Sequence, residues 1–150
     1  MPLIAIMLVT LGIVLYIVDK KSESKVDLEN MTFKQSFLIG VSQAIAAAFP
    51  GTSRSGITMT IARALKLDRE SAAKYSFLLS TPIVLAAVIF SITDFEFSLA
   101  FFTGVISSFI VGLIVIKFLL NYLKKGSFKI FAIYRIIIGI VVLATFILRG

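Results

Sequence analysis

The sequence predicts an all-α, polytopic membrane helix bundle with one re-entrant helix hairpin. Three observations predict it. The chain is 59% hydrophobic, where a soluble domain is about 45–50% apolar, and its mean hydropathy is +1.03. Four charge-poor apolar runs recur along its 150 residues, each near the ~20 residues a span requires. The Lys and Arg residues collect in particular loops, and that distribution decides how a fifth, interrupted apolar segment must run.

The elements follow in order. The first span covers about 3–18 and ends at Asp19-Lys20-Lys21. It is short, which tilt or local thinning accommodates. No Lys or Arg precedes this run and no small-residue cleavage site follows it, so it is expected to be a retained helix rather than a signal peptide. Residues 19–34 are a polar loop. Thr32-Phe33-Lys34-Gln35 has the form of a capping box, with Thr32 as N-cap and Gln35 reaching back. The helix it opens is expected to run to Phe49, where Pro50-Gly51 stops it. A second helix is expected from Ser53–Ser55 to about Leu65. About 16 residues at 1.5 Å each reach only about 24 Å, against roughly 30 Å of hydrocarbon. Two such half-length helices joined by a polar tip make a re-entrant hairpin over about 33–65.

Asp68-Arg69-Glu70 opens the next helix, with acids in the first turn where the helix dipole favours them. Its span is about 71–93 and contains Pro82, which predicts a kink. Asp94 and Glu96 mark an acidic loop. Spans of about 97–120 and 130–148 complete a single integral membrane domain over 1–150.

Charge position tests the hairpin. The segments 19–34, 63–74 and 117–129 hold four Lys or Arg each, and the 94–96 loop holds none. If 33–65 turns back to the side it came from, all three basic segments share one side, as the positive-inside bias requires. If it crosses fully, the asymmetry disappears. The re-entrant reading places both termini outside and the hairpin mouth at the cytoplasm.

Composition also excludes. No Cys removes disulfides and thiolate metal sites. No His removes the commonest general base and zinc ligand. The net charge of +7 belongs to cytoplasmic loops of a membrane protein rather than to nucleic-acid binding.

The hairpin tip carries the chemistry. Arg54 is a fixed cation whose planar fork suits two phosphate oxygens at once, and a charge at that depth requires a reason. Ser53, Thr52, Ser55 and Thr58 add hydroxyls. Gly51 and Gly56 allow close backbone approach, and the start of the second hairpin helix offers free N–H groups and a positive dipole end. Gln43, mid-helix in an apolar run, needs a partner inside the bundle or orients a ligand. Ser76 and Ser80 share a helix face and, with Thr81, line the cavity or pack helices. Arg135 lies near the start of the last span, where snorkelling to the cytoplasmic side is cheap.

These residues carry a resemblance. Gly40-Val41-Ser42-Gln43, Pro50-Gly51-Thr52-Ser53-Arg54-Ser55-Gly56-Ile57-Thr58 and Ser76-Phe77-Leu78-Leu79-Ser80-Thr81-Pro82 resemble the undecaprenyl-diphosphate phosphatases, or bacitracin-resistance proteins. The likeness runs over essentially the whole chain but covers only the second half of that family's usual length. It implies a hydrolase of the bacterial cell membrane that removes the terminal phosphate of a polyprenyl diphosphate lipid for peptidoglycan and cell-wall synthesis. It implies a fold of two inverted repeats, this chain resembling one half, and a divalent cation (magnesium or calcium) whose ligands are not in this chain. Arg54 falls on the family's phosphate-binding arginine and Ser53 on the serine beside it, the two expected catalytic residues. The family's Glu-rich motif and histidine are absent. The expectation is therefore a chain that supplies the phosphate-binding half of an undecaprenyl-diphosphate phosphatase. The alternatives are an inactive fragment, a half-protein needing a missing N-terminal half or a second copy, and half of a transporter of anionic substrates.

Overall fold

A computed structural model describes residues 2–49, 52–92, 95 and 97–149. The described residues form seven helices: α1 (Pro2–Lys21), α2 (Phe33–Val41), α3 (Gln43–Ala48), α4 (Arg54–Ala64), α5 (Arg69–Phe90), α6 (Leu99–Lys125) and α7 (Lys129–Arg149). Four of them, α1, α5, α6 and α7, are long and apolar enough to cross a membrane.

Local chemistry starts each helix. Thr32, Ser53, Asp68 and Ser98 cap α2, α4, α5 and α6, each side-chain oxygen accepting the N–H three residues on. This satisfies one of the four N–H groups that a helix start leaves free. The capping box at α2 is complete, since Gln35 Oε1 accepts the Thr32 N–H at 2.9 Å.

The arm expected as one helix from Thr32 to Phe49 breaks at Ser42. Its hydroxyl donates to Ile39 O at 2.6 Å, taking the carbonyl that the Gln43 N–H would use in an uninterrupted helix. Such back-bonding competes with the helical ladder. No Pro or Gly sits at position 42 to announce it.

The hairpin segment returns to where it began. Gln35 Nε2 donates to Leu65 O at 3.0 Å. The N–H groups of Lys25 and Val26 donate to Lys66 O, and Asp68 N–H donates to Val26 O at 2.8 Å. A Schellman motif ends α4: Leu67 N–H donates to Ala62 O and Lys66 N–H to Arg63 O. It places Lys66 at φ 68°, in the left-handed region. Ile39, Ala62, Leu67 and Ala72 pack together beneath this junction.

α1 and α7 pack antiparallel along matching stripes. Ala5, Gly12, Leu15 and Asp19 are buried on α1; Ala132, Arg135 and Gly139 on α7 continue a stripe that begins at Phe128. A Cβ on Gly139 would lie 2.6 Å from Val9 Cγ2, and one on Gly12 would lie 3.1 Å from Ile136 Cγ1. Small residues thus set the approach, as at membrane helix interfaces generally. A second cluster of Leu15, Met59, Ala73, Leu123 and Phe128 joins α1, α4, α5, α6 and the start of α7.

The three basic segments meet at one carboxylate. Asp19 Oδ1 accepts from Arg63 Nε at 2.9 Å and from Arg69 Nε at 2.8 Å, and Asp19 Oδ2 accepts from the Phe128 N–H at 3.1 Å. Arg63 is fully buried, and its other donors reach Ser24 Oγ, Leu67 O, Asp19 O and Ser22 O. Beyond this hub α5 is continuous through Pro82, and residues 81–90 are all exposed. The loop residues Asp94 and Glu96 lie outside the described residues.

Candidate functional site

Residues 52–58 surround the N-terminal end of α4. Arg54 lies nine residues from Arg63 along this helix, about 14 Å at 1.5 Å per residue. Ser53 is the cap: its Oγ accepts the Gly56 N–H at 3.2 Å and sits 3.2 Å from Ser55 Oγ.

Two cavities open beside this helix end, and they share no lining residue. The first, about 460 Å³, is walled by Gln43, Thr52 and Arg54, with Ala44, Ala46, Ala47 and Ile83. Gln43 Oε1 and Thr52 Oγ1 are buried without a hydrogen-bond partner among the described residues. No carboxylate among those residues pairs with Arg54; the ion pairs found involve Lys25, Arg63, Arg69, Lys74 and Lys124. Gly51 and Pro50 lie outside the described residues.

The second cavity, about 290 Å³, has Ser53, Ser55 and Gly56 on one wall and Arg135 on another; Leu15, Met59, Phe77, Leu119, Phe128, Phe131 and Tyr134 supply an apolar remainder. Arg135 is the residue that sequence reasoning missed. It was expected to snorkel to the cytoplasmic side, yet it is only 9% exposed. Its Nε and Nη2 have no partner among the described residues. Its guanidinium lies against Gly56, where an added Cβ would fall 1.9 Å from Nη1. Gly56 therefore makes room for Arg135. The available signal was spacing: Phe128, Ala132, Arg135 and Gly139 recur as one face of a packed helix.

Thr58 also departs from expectation. It is 1% exposed and does not face either cavity. Its Oγ1 donates to the carbonyls of Arg54 and Ser55, each at 3.1 Å, so Ser76 Oγ, 2.7 Å away, donates to it. The pair fastens α4 to α5. Ser80 and Thr81 spend their hydroxyls on Phe77 O within their own helix.

The site is therefore rich in donors. No carboxylate among the described residues lines either cavity. Asp19, Glu23 and Glu70 are engaged at the hub end with Arg63, Arg69, Lys25, Lys74 and Lys124. Magnesium and calcium require oxygen ligands, chiefly carboxylates, and two arginines beside the helix end oppose a cation. The residues present do not fit the divalent ion that the resemblance implies.

Fold and site together define an all-helical, polytopic membrane protein in which a folded-back helix pair presents a cationic, hydroxyl-rich helix end. Comparison places it further. The family model of the bacitracin resistance protein BacA matches residues 1–141, and the chain belongs to that family. An undecaprenyl-diphosphatase of Pelotomaculum thermopropionicum is 49% identical over 144 residues, covering 94% of this chain and 54% of that protein. One from Caldicellulosiruptor bescii is 48% identical, covering 99% of this chain and 57% of its own length. One from Moorella thermoacetica is 39% identical, with 98% and 57% covered. The chain thus spans somewhat over half the length of these relatives.

Proposed function

We propose that this chain supplies the phosphate-binding half of an undecaprenyl-diphosphate phosphatase in the bacterial cell membrane. The reaction is hydrolysis: water attacks the terminal phosphorus, the phosphoanhydride P–O bond breaks, and polyprenyl monophosphate and inorganic phosphate leave. Regenerating that carrier lipid links the reaction to peptidoglycan and cell-wall synthesis, to cell shape and to bacitracin resistance. The observation that carries the reading is Arg54, without a carboxylate partner among the described residues, in a cleft with the unpartnered Gln43 Oε1 and Thr52 Oγ1. A bidentate guanidinium at a helix N-terminus suits a phosphoryl group, and it stabilises charge that develops during transfer. The Thr52 hydroxyl and the free N–H groups at the start of α4 complete the cradle. The helix-fastening role of Thr58 sets the angle of α4.

Activation lies elsewhere. A serine nucleophile needs an adjacent base; the sequence has no His, and no carboxylate among the described residues lines the cavity beside Ser53. The base, and the carboxylates for a divalent cation, come from the portion of a relative that residues 1–150 do not cover. The test is phosphate release from polyprenyl diphosphate in vesicles holding this chain and that portion co-expressed. Release is expected from the pair, with a loss of about 10²–10³ in rate for Arg54→Ala. No release from the pair, or release unaffected by Arg54→Ala, overturns the reading.

A further inference from the structure

We propose that the cavity around Arg135 is a second oxyanion site, separate from the Arg54 cleft, that takes a phosphate group. The choice of phosphate over other oxyanions rests on the function proposed above. The existence of the site does not.

The argument starts from an imbalance. Arg135 is more than nine-tenths buried, and two of its three guanidinium nitrogens have no partner among the described residues. No carboxylate among the described residues lines its cavity. A buried charge without a counter-ion is costly, so the site calls for an anion. Three further features face the same space. The α4 N-terminus brings its positive dipole end to the cavity wall at Gly56. Ser53 and Ser55 line that wall, and one hydroxyl proton of the pair is free for a ligand when the other bridges their 3.2 Å gap. Gly56 keeps the guanidinium within reach of this helix end, because any Cβ would displace it.

Helix arithmetic agrees. Gly56 lies seven residues from Arg63, and Arg135 lies seven residues from Phe128. Arg63 and Phe128 both bond Asp19. Both paths therefore climb about 10 Å from the hub, which puts Gly56 and Arg135 at one level. The rest of the lining, including Phe77, Phe131 and Tyr134, is apolar. The ligand chemistry is a phosphate monoester or free phosphate, and the apolar wall accommodates the first methylenes of a lipid phosphate.

The experiment uses the full chain in a neutral detergent at constant ionic strength. Thermal unfolding is followed against inorganic phosphate, and separately against a long-chain alkyl monophosphate. Wild type and Arg54→Ala should both be stabilised by at least one of the two ligands. A shift with both identifies free phosphate as sufficient, and a shift with the alkyl phosphate alone identifies a lipid headgroup. In the Arg54→Ala background, which silences the other cleft, Arg135→Met should melt higher without ligand, because an uncompensated charge is gone, yet bind about tenfold or more weakly. Gly56→Ala, which displaces the guanidinium, should weaken binding likewise, and Arg135→Lys should restore part of it. No stabilisation of wild type by either ligand overturns the proposal. So does stabilisation kept in Arg135→Met and Gly56→Ala but lost in Arg54→Ala. Binding is read without hydrolysis, so failure of the phosphatase assay and failure of this site are separate results.

Discussion

Arg63 donates its Nε to Asp19 Oδ1 at 2.9 Å in a place that admits almost no water: the two side chains are 1% and 4% exposed. Removing one partner of such a pair leaves the other charge buried alone. Asp19 also serves Arg69 and the Phe128 N–H, so Asp19→Ala strands several donors. The expected loss is about 3–5 kcal/mol, measured by thermal unfolding in detergent micelles. Arg63→Met in the Asp19→Ala background should recover part of it. A loss under about 0.5 kcal/mol would mean the hub is not structural.

The Thr58–Ser76 contact should behave as one unit. With Oγ atoms 2.7 Å apart and both residues buried, Thr58→Val leaves the Ser76 hydroxyl without its acceptor and should cost about 1–3 kcal/mol. Thr58→Val with Ser76→Ala should cost less than the sum of the single changes. An additive double-mutant cycle would show that the two hydroxyls do not interact.

Two glycines make a contrast. A side chain on Gly139 meets Val9 and the Ala5 carbonyl, whereas one on Gly104 of α6 meets nothing within 4 Å. Gly139→Leu should wedge α1 from α7 and cost about 1–3 kcal/mol. Gly104→Leu should stay within about 0.5 kcal/mol. Melting temperatures of the two variants, measured side by side, check this.

Lys66 holds φ 68° at the end of α4, a conformation that a Cβ makes unfavourable by roughly 1–2 kcal/mol. Its backbone is fixed by the Schellman bonds, and its side chain is exposed. Lys66→Gly should therefore stabilise the chain by about 1 kcal/mol, partly offset by the entropy of the freer unfolded chain. A lower melting temperature for this variant would contradict the assignment.

The sidedness of the basic segments is open to chemical labelling, because the sequence has no cysteine. Lys25→Cys, Lys66→Cys and Lys129→Cys should react with an impermeant thiol reagent from one side of sealed vesicles, and Ser98→Cys from the other. All four positions are exposed. Labelling of position 25 and position 66 from opposite sides would mean that the segment 33–65 crosses the membrane.

Much of the fold was legible because the determining signals are local. Thr32 and Gln35 close their capping box within one turn, and the four long apolar runs need only length and absence of charge. The Ser42 break was not legible, because a serine inside a helix bonds back to the preceding turn or does not according to geometry. The surroundings of Arg135 and Thr58 were not legible for a different reason. Which way Arg135 turns depends on the space left by Gly56, 79 positions earlier in the chain. Whether Thr58 faces a cavity depends on Ser76, on another helix. Local spacing marks the packed face of α7 but not what each residue on it meets.

The Asp19 carboxylate also sets an order of assembly. Its acceptors are made early in synthesis, Arg63 and Arg69 follow, and the Phe128 N–H comes last. The last donor arrives only after α6 has been made. The hub thus ties positions 19, 63, 69 and 128 together at one point, and a chain cut before residue 128 would leave Asp19 Oδ2 without this donor.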